Sequence, residues 1–234
     1  SDIILKIFSF ENDIDFSKNH INVLQIQNKK LFAKMVSSFN NMCKGLSVEC
    51  DEVITLLEQD EIVDFTKNVL FVVDFLNFDF NQRRIQTVLY QYIDKIIKLE
   101  PEILSNINNL QDSIHIEFMS IMEELPFEIL CKKDSSILDI LKMYGIRIKA
   151  NVDEKIIEKL FKLVELVQCL DLAKLIILVN VKQYLDSDEI VEFYKYCVYN
   201  NVKLLVLERG SEVSPLERER ILFVDENFDE FFIQ

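Results

Sequence analysis

Glycine is scarce in this 234-residue chain, with only Gly45, Gly145 and Gly210. Three isolated glycines cannot make a GxxxxGK[ST] loop, whose backbone must come close to phosphate oxygens. Nucleotide hydrolases built on that loop are therefore excluded, although NVLFVVDF at Asn68–Phe75 carries an aspartate near its end as a Walker B strand does. CKGLS at Cys43–Ser47 lacks the first glycine and is a chance fragment. Histidine is limited to His20 and His115, which excludes a histidine-rich metal centre. The cysteines, Cys43, Cys50, Cys131, Cys169 and Cys197, show no CxxC or other paired spacing. No stretch has the charged, apolar and small-residue regions of a secretion signal, so a reduced, cytoplasmic protein is expected. Long apolar runs are missing too. Windows such as Val69–Leu76 are broken by Asp74 and fall far short of the roughly 20 residues of a membrane helix.

Positive charge is in short supply, with 26 Lys and Arg against 40 Asp and Glu and a net charge of −14. Phosphate binding needs bases, so the total argues against nucleic acid. The distribution weakens that argument: acids outnumber bases 13 to 7 over residues 1–80 and 17 to 10 over 151–234, but only 10 to 9 over 81–150. A positive surface is most easily assembled in the middle third.

Hydrophobic residues make up half of the chain, enough for a substantial core. LIILVN at Leu175–Asn180 and KLLVLE at Lys203–Glu208 are aliphatic without period-2 alternation, as parallel strands buried on both faces are. Between them Asp186 and Glu189 have capping-box spacing, and Ile190, Phe193, Tyr194, Cys197 and Val198 recur at helical spacing. The unit reads βαβ, which sets an α/β sheet with helices packed on it. Ile3–Phe8, Asn22–Gln27, Asn68–Phe75 and Arg220–Val224 supply further strands, with an alternating segment around Val53–Leu57. Lys29–Asn40 reads as a helix with Leu31, Phe32, Met35, Val36 and Phe39 inward and Lys30 and Lys34 on its other side.

From Asn81 the period becomes helical. Ile85, Val88, Leu89, Tyr92, Ile93 and Ile96 stripe one helix, and Pro101 opens a second that runs towards Pro126. Ser135 or Ser136 caps a third, Ile137–Tyr144, which Gly145 ends. Ile146, Ile148 and Ala150 then alternate with Arg147 and Lys149, predicting a strand with one apolar and one basic face. Asp153–Leu170 is a further amphipathic helix. The expected organisation is an α/β head over residues 1–80 and 146–234 and an α-helical leg over 81–145. Apolar stripe left over on the leg predicts an oligomer.

The run ILDILKMYGIRIKANVDEKIIEKLFKLVELVQCL, followed by KLIILVNVKQYLDSDEIVEFYKYC and KLLVLERGSEV, closely resembles the accessory spacer-acquisition protein of type II-A CRISPR operons, the Csn-type ring protein. LFVVDFLN at Leu70–Asn77 carries the resemblance further. It implies a parallel-sheet α/β head like a P-loop fold without its nucleotide loop, plus a projecting helical leg. It implies no catalytic activity, but a homotetrameric ring that encircles double-stranded DNA from free ends during spacer acquisition in antiviral defence. The implied partners are the other CRISPR adaptation proteins and the RNA-guided effector nuclease of the same operon, and no membrane.

The resemblance also implies calcium held by acids on and near the leg, here Glu123, Glu124, Glu128 and Asp134. The segment has Pro126, Cys131, Lys132 and Lys133 in place of some of the family's acids. For DNA the implied bases are Lys132, Lys133, Arg147 and Lys149 with Lys29, Lys30 and Lys34, touching phosphates and not base edges. Arg83 and Arg84 are secondary candidates. Two other classes remain open. A metal-dependent nuclease would use the same four acids in a two-metal arrangement, although no PD-(D/E)xK sequence is present. A protein-interaction scaffold would use the acidity and the apolar helices without touching DNA.

Overall fold

A computed structural model describes residues 2–49, 53–151 and 153–234, leaving Cys50 outside the described residues. The chain forms two compact units, one from residues 1–78 with 151–234 and the other from 79–150.

The first unit is α/β. Its larger sheet contains β3 (Ile21–Ile26), β6 (Val69–Val72), β7 (Leu175–Val179), β8 (Lys203–Arg209), β9 (Glu219–Val224) and β10 (Glu230–Ile233), in the order β10-β9-β3-β8-β7-β6. The pairs β3–β8, β3–β9, β6–β7 and β7–β8 are parallel, and β10 is antiparallel to β9 at one edge. The expected βαβ unit is present: α7 (Ser187–Tyr199) joins adjacent parallel strands in register Leu175↔Lys203. All five residues of β7 are buried, which explains the missing alternation. A smaller antiparallel sheet has the order β2-β1-β4-β5, from β1 (Ile3–Ile7), β2 (Ile14–Asp15), β4 (Ile54–Glu58) and β5 (Glu61–Ile62).

Helix α1 (Lys29–Cys43) starts where the Asn28 side chain accepts hydrogen bonds from the N–H groups of Lys30 and Leu31. It stops at Gly45, whose φ of +67° lets its N–H reach Met42 O while Leu46 N–H reaches Asn41 O. Met35 and Phe39 bury fully, in one core with Leu5 and Leu56 of the small sheet and Leu24, Ile177, Leu205 and Leu222 of the large one. Leu31, Phe32 and Val36 pack on its margin. Each such side chain contributes about 1.5–3 kcal/mol by leaving water. Residues of the alternate phase, including Ile176, Leu178, Leu204 and Val206, are buried on the other face, where α7 lies against β8. Helix α6 (Ile156–Leu170) packs on α7 and ends at Asp171 in the left-handed region. The short α2 (Phe65–Asn68) leads into β6.

The second unit is helical. α3 (Arg83–Leu99), α4 (Pro101–Met122) and α5 (Ile137–Met143) surround a small core of Tyr90, Ile137 and Leu141, with Ile93, Leu104 and Ile107 packed on it. Ser136 caps α5 in a capping box with Asp139. α4 has no buried residue in its 22, and Ile103, Leu110, Ile114, Ile116, Phe118 and Ile121 are 46–65% exposed.

The strand expected from Ile146 to Ala150 does not form. Alternation alone does not supply a neighbour, and this segment pairs with side chains instead. Asn81 Nδ2 donates to Ile148 O at 2.9 Å and Asn81 Oδ1 accepts from Ile148 N at 2.8 Å. Tyr90 Oη donates to Ile146 O at 2.9 Å. With part of its backbone met in this way, the stretch stays irregular and, Ile148 apart, exposed within the helical unit. No helix among the described residues is long and apolar enough to cross a membrane.

Candidate nucleic-acid interface

The candidate bases fall on three pieces of chain. Lys29, Lys30 and Lys34 lie in the first two turns of α1, with Lys29 and Lys30 exposed and Lys34 half-buried. Lys30 and Lys34 stand on one side of α1. They border a hollow of about 340 Å³ together with Phe10, Phe228 and Glu230. The Glu230 carboxylate accepts from the backbone N–H groups of Glu11 and Asn12 and from Asn12 Nδ2 at 2.7 Å. An acid therefore sits beside these lysines and offsets part of their field.

The other bases belong to the helical unit. Lys132 and Lys133 are exposed in the irregular segment between α4 and α5, and Lys132 Nζ lies 3.7 Å from Asp139. That pair is solvated and contributes little to stability. The Asp139 carboxyl sits below its ordinary range, because Ser136 donates to it in the capping box. Arg147 and Lys149 are exposed on either side of Ile148, the residue that Asn81 clamps. Arg83 begins α3, where the Gln82 side chain makes no cap hydrogen bond.

Glu123, Glu124, Glu128 and Asp134 are all exposed. Among the described residues no three His, Cys, Asp or Glu side chains form a group that could hold a metal ion. The four acids of one chain therefore do not fit calcium as a set. The same arrangement offers nothing to a two-metal nuclease, which needs convergent carboxylates. Asp74, the Walker-B-like residue, is exposed and closes a turn by accepting from Leu76 N, Asn77 N and Asn77 Nδ2. Those bonds, that from the Asn77 side chain foremost, hold its carboxyl below the ordinary range.

One polar cluster escapes sequence reasoning. Glu219, at the start of β9, accepts from Tyr194 Oη at 2.8 Å and from Lys182 Nζ at 2.5 Å, and its second oxygen accepts from Leu216 N at 2.9 Å. Glu208, at the end of β8, is 4% exposed and accepts from Lys182 N at 3.0 Å. Burial pushes the Glu208 carboxyl up from 4.5 to about 7, helped by the Glu219 charge and opposed by Lys182. Burial, then the Glu219 charge, raises the Tyr194 hydroxyl well above its ordinary value. The one local signal is a glutamate ending an otherwise apolar strand.

A model of a CRISPR-associated protein family, Cas_Csn2, matches residues 47–228. Two curated relatives carry the description CRISPR-associated protein Csn2. The chain is 24% identical over 188 residues to that of Streptococcus agalactiae, covering 80% of each chain. It is 30% identical over 162 residues to that of Enterococcus faecalis, covering 68% of this chain and 70% of the relative. The crystal structure of Stu0660 of Streptococcus thermophilus is similar in fold, with a TM-score of 0.58 and 14% identity over all of this chain and 76% of that one.

Proposed function

The chain belongs to the Csn2 family of CRISPR-associated proteins, and from that membership we propose that it is a non-catalytic, sequence-independent binder of double-stranded DNA ends. It acts in spacer acquisition in a type II-A system as a homotetrameric ring, beside the other adaptation proteins and the effector nuclease. The observation that carries the reading is where the exposed bases lie. In a chain of net charge −14, Lys132, Lys133, Arg147 and Lys149 stand exposed on two irregular segments of the helical unit. Four copies of that surface turned inward would gather positive charge while the acidic remainder limits unspecific adhesion. The exposed apolar stripe of α4 supports assembly, since a lone chain leaves it in water.

Phosphate contacts of this kind are blind to sequence and sensitive to salt, with a log–log slope of about −0.9 for each neutralised phosphate. The test is a mobility shift on linear duplex and on covalently closed circles of the same sequence. Linear DNA shifts and remains intact with divalent metal, closed circles do not shift, and changing Arg147 and Lys149 together to Glu abolishes the shift at unchanged oligomer mass. Equal affinity for both topologies would reject encirclement. Degradation would point to the nuclease, and no shift at all to the scaffold.

A further inference from the structure

In the helical unit, α4, α5 and the segment between them border an open hollow of about 360 Å³ with His115 and Cys131 on its wall. Both residues are half-buried, so the pair is sheltered and still reachable. Cys131 Sγ lies 3.8 Å from His115 Nδ1 and 3.6 Å from Lys132 O, so its S–H has two acceptors within reach, the imidazole and a carbonyl. The contact spans 16 residues of chain, and Ser135 N–H donating to Gln111 Oε1 at 2.8 Å ties the loop to α4. Lys132 and Lys133 border the same hollow, and Lys132 also faces Asp139 at 3.7 Å. Ile114, Phe118 and Met143 give the hollow an apolar wall.

The other described thiols stand in different surroundings. Cys197 is fully buried, and burial drives its thiol far up. Cys43 packs against the core of the α/β unit, and Cys169 is exposed on α6. Reactive cysteines occupy partly exposed, electropositive sites with a base at hand, because the thiolate is the nucleophile. Cys131 combines these features.

We propose that Cys131 is a thiol–disulfide exchange site for a small anionic disulfide, with His115 as the base that takes its proton. The Cys131 thiolate attacks one sulfur of the disulfide. A new S–S bond forms to Cys131, the old S–S bond breaks, and the departing thiolate takes the proton from the His115 imidazolium. The disulfide is the oxidant and no other is needed. Size and charge select the substrate: the hollow of about 360 Å³ suits one tripeptide-sized half of the disulfide, and Lys132 and Lys133 suit the carboxylates of that half.

The proposal does not depend on DNA binding. The full chain, with Cys50→Ser so that the described thiols compete, is incubated with oxidised glutathione at neutral pH, and mixed disulfides are mapped by peptide mass. Cys131 is modified ahead of Cys43, Cys169 and Cys197. His115→Gln slows the reaction on the order of tenfold or more at neutral pH, and the difference closes in strongly alkaline solution, where hydroxide deprotonates any thiol. Changing Lys132 and Lys133 to Ala slows exchange with oxidised glutathione but not with uncharged hydroxyethyl disulfide. Modification of Cys169 as fast as Cys131 would overturn the assignment. So would a His115→Gln rate equal to the unmodified rate, or one lowered equally at every pH.

Discussion

Replacing Glu219 with Ala is expected to be among the most damaging single changes in the α/β unit. The Glu219 side chain is fully buried and holds the Lys182 ammonium at 2.5 Å, the Tyr194 hydroxyl at 2.8 Å and the Leu216 N–H at 2.9 Å. Tyr194 is itself 0% exposed, so its hydroxyl has no water to turn to. Breaking a buried ion pair by removing one partner costs about 3–5 kcal/mol. The Lys182 side chain keeps 21% of its surface, which places the loss near the lower end, about 3 kcal/mol. For a chain of this size that lowers Tm by about 6–12 °C. Circular dichroism melts at a single protein concentration measure it, because assembly shifts apparent stability. The double change Lys182→Met with Glu219→Leu removes both charges and should cost less than Glu219→Ala alone. A Glu219→Ala melt indistinguishable from the unmodified chain, or a double variant weaker than the single one, would refute the reasoning.

Glu208→Gln should change the pH dependence of stability. The folded carboxyl is raised from 4.5 to about 7, so the native state binds a proton that the unfolded chain releases. Stability from this group is full below about 4.5, falls as pH rises to about 7 and is flat above, a swing of up to about 3 kcal/mol. The variant should therefore gain on the unmodified chain across that window and be the more stable above it; a Tm difference independent of pH would contradict this. Asp186→Ala removes the capping box of α7, in which Glu189 N donates to Asp186 Oδ1 at 2.9 Å, and should cost about 1 kcal/mol in urea unfolding. Millimolar calcium should raise Tm only where chains have assembled, since the four acids of one chain form no metal-holding group. The same rise at a concentration where light scattering shows a monomer would contradict that.

Much of the α/β unit is legible because local signals there agree. LIILVN and KLLVLE are apolar at every position but their ends since both faces of their sheet are covered. The Asp186–Glu189 spacing is the capping box that begins α7. The 146–150 segment misleads because period-2 alternation reports two faces, and a solvated stretch clamped by side chains has two faces as well. β10 leaves a weak signal, EFFI, because an edge strand with exposed Phe231 and Phe232 lacks the usual in–out contrast. The Glu208–Glu219–Lys182–Tyr194 cluster and the His115–Cys131 pair join residues from different elements, and no spacing rule reaches across a fold. The candidate bases are visible as residue types in a near-neutral third of the chain, but not the acid beside Lys30 and Lys34, which comes from Glu230.

The Asn81 clamp separates shape from charge. A carboxamide sets a donating nitrogen beside an accepting oxygen, as neighbouring peptide groups on a strand do, so a single side chain stands in for a neighbouring strand at Ile148. Only backbone atoms are gripped, and the flanking side chains of Arg147 and Lys149 take no part in the hold. Those positions can therefore change sign, size or polarity while the chain path stays fixed. Selection can tune the electrostatics of this loop one residue at a time, without first solving a folding problem.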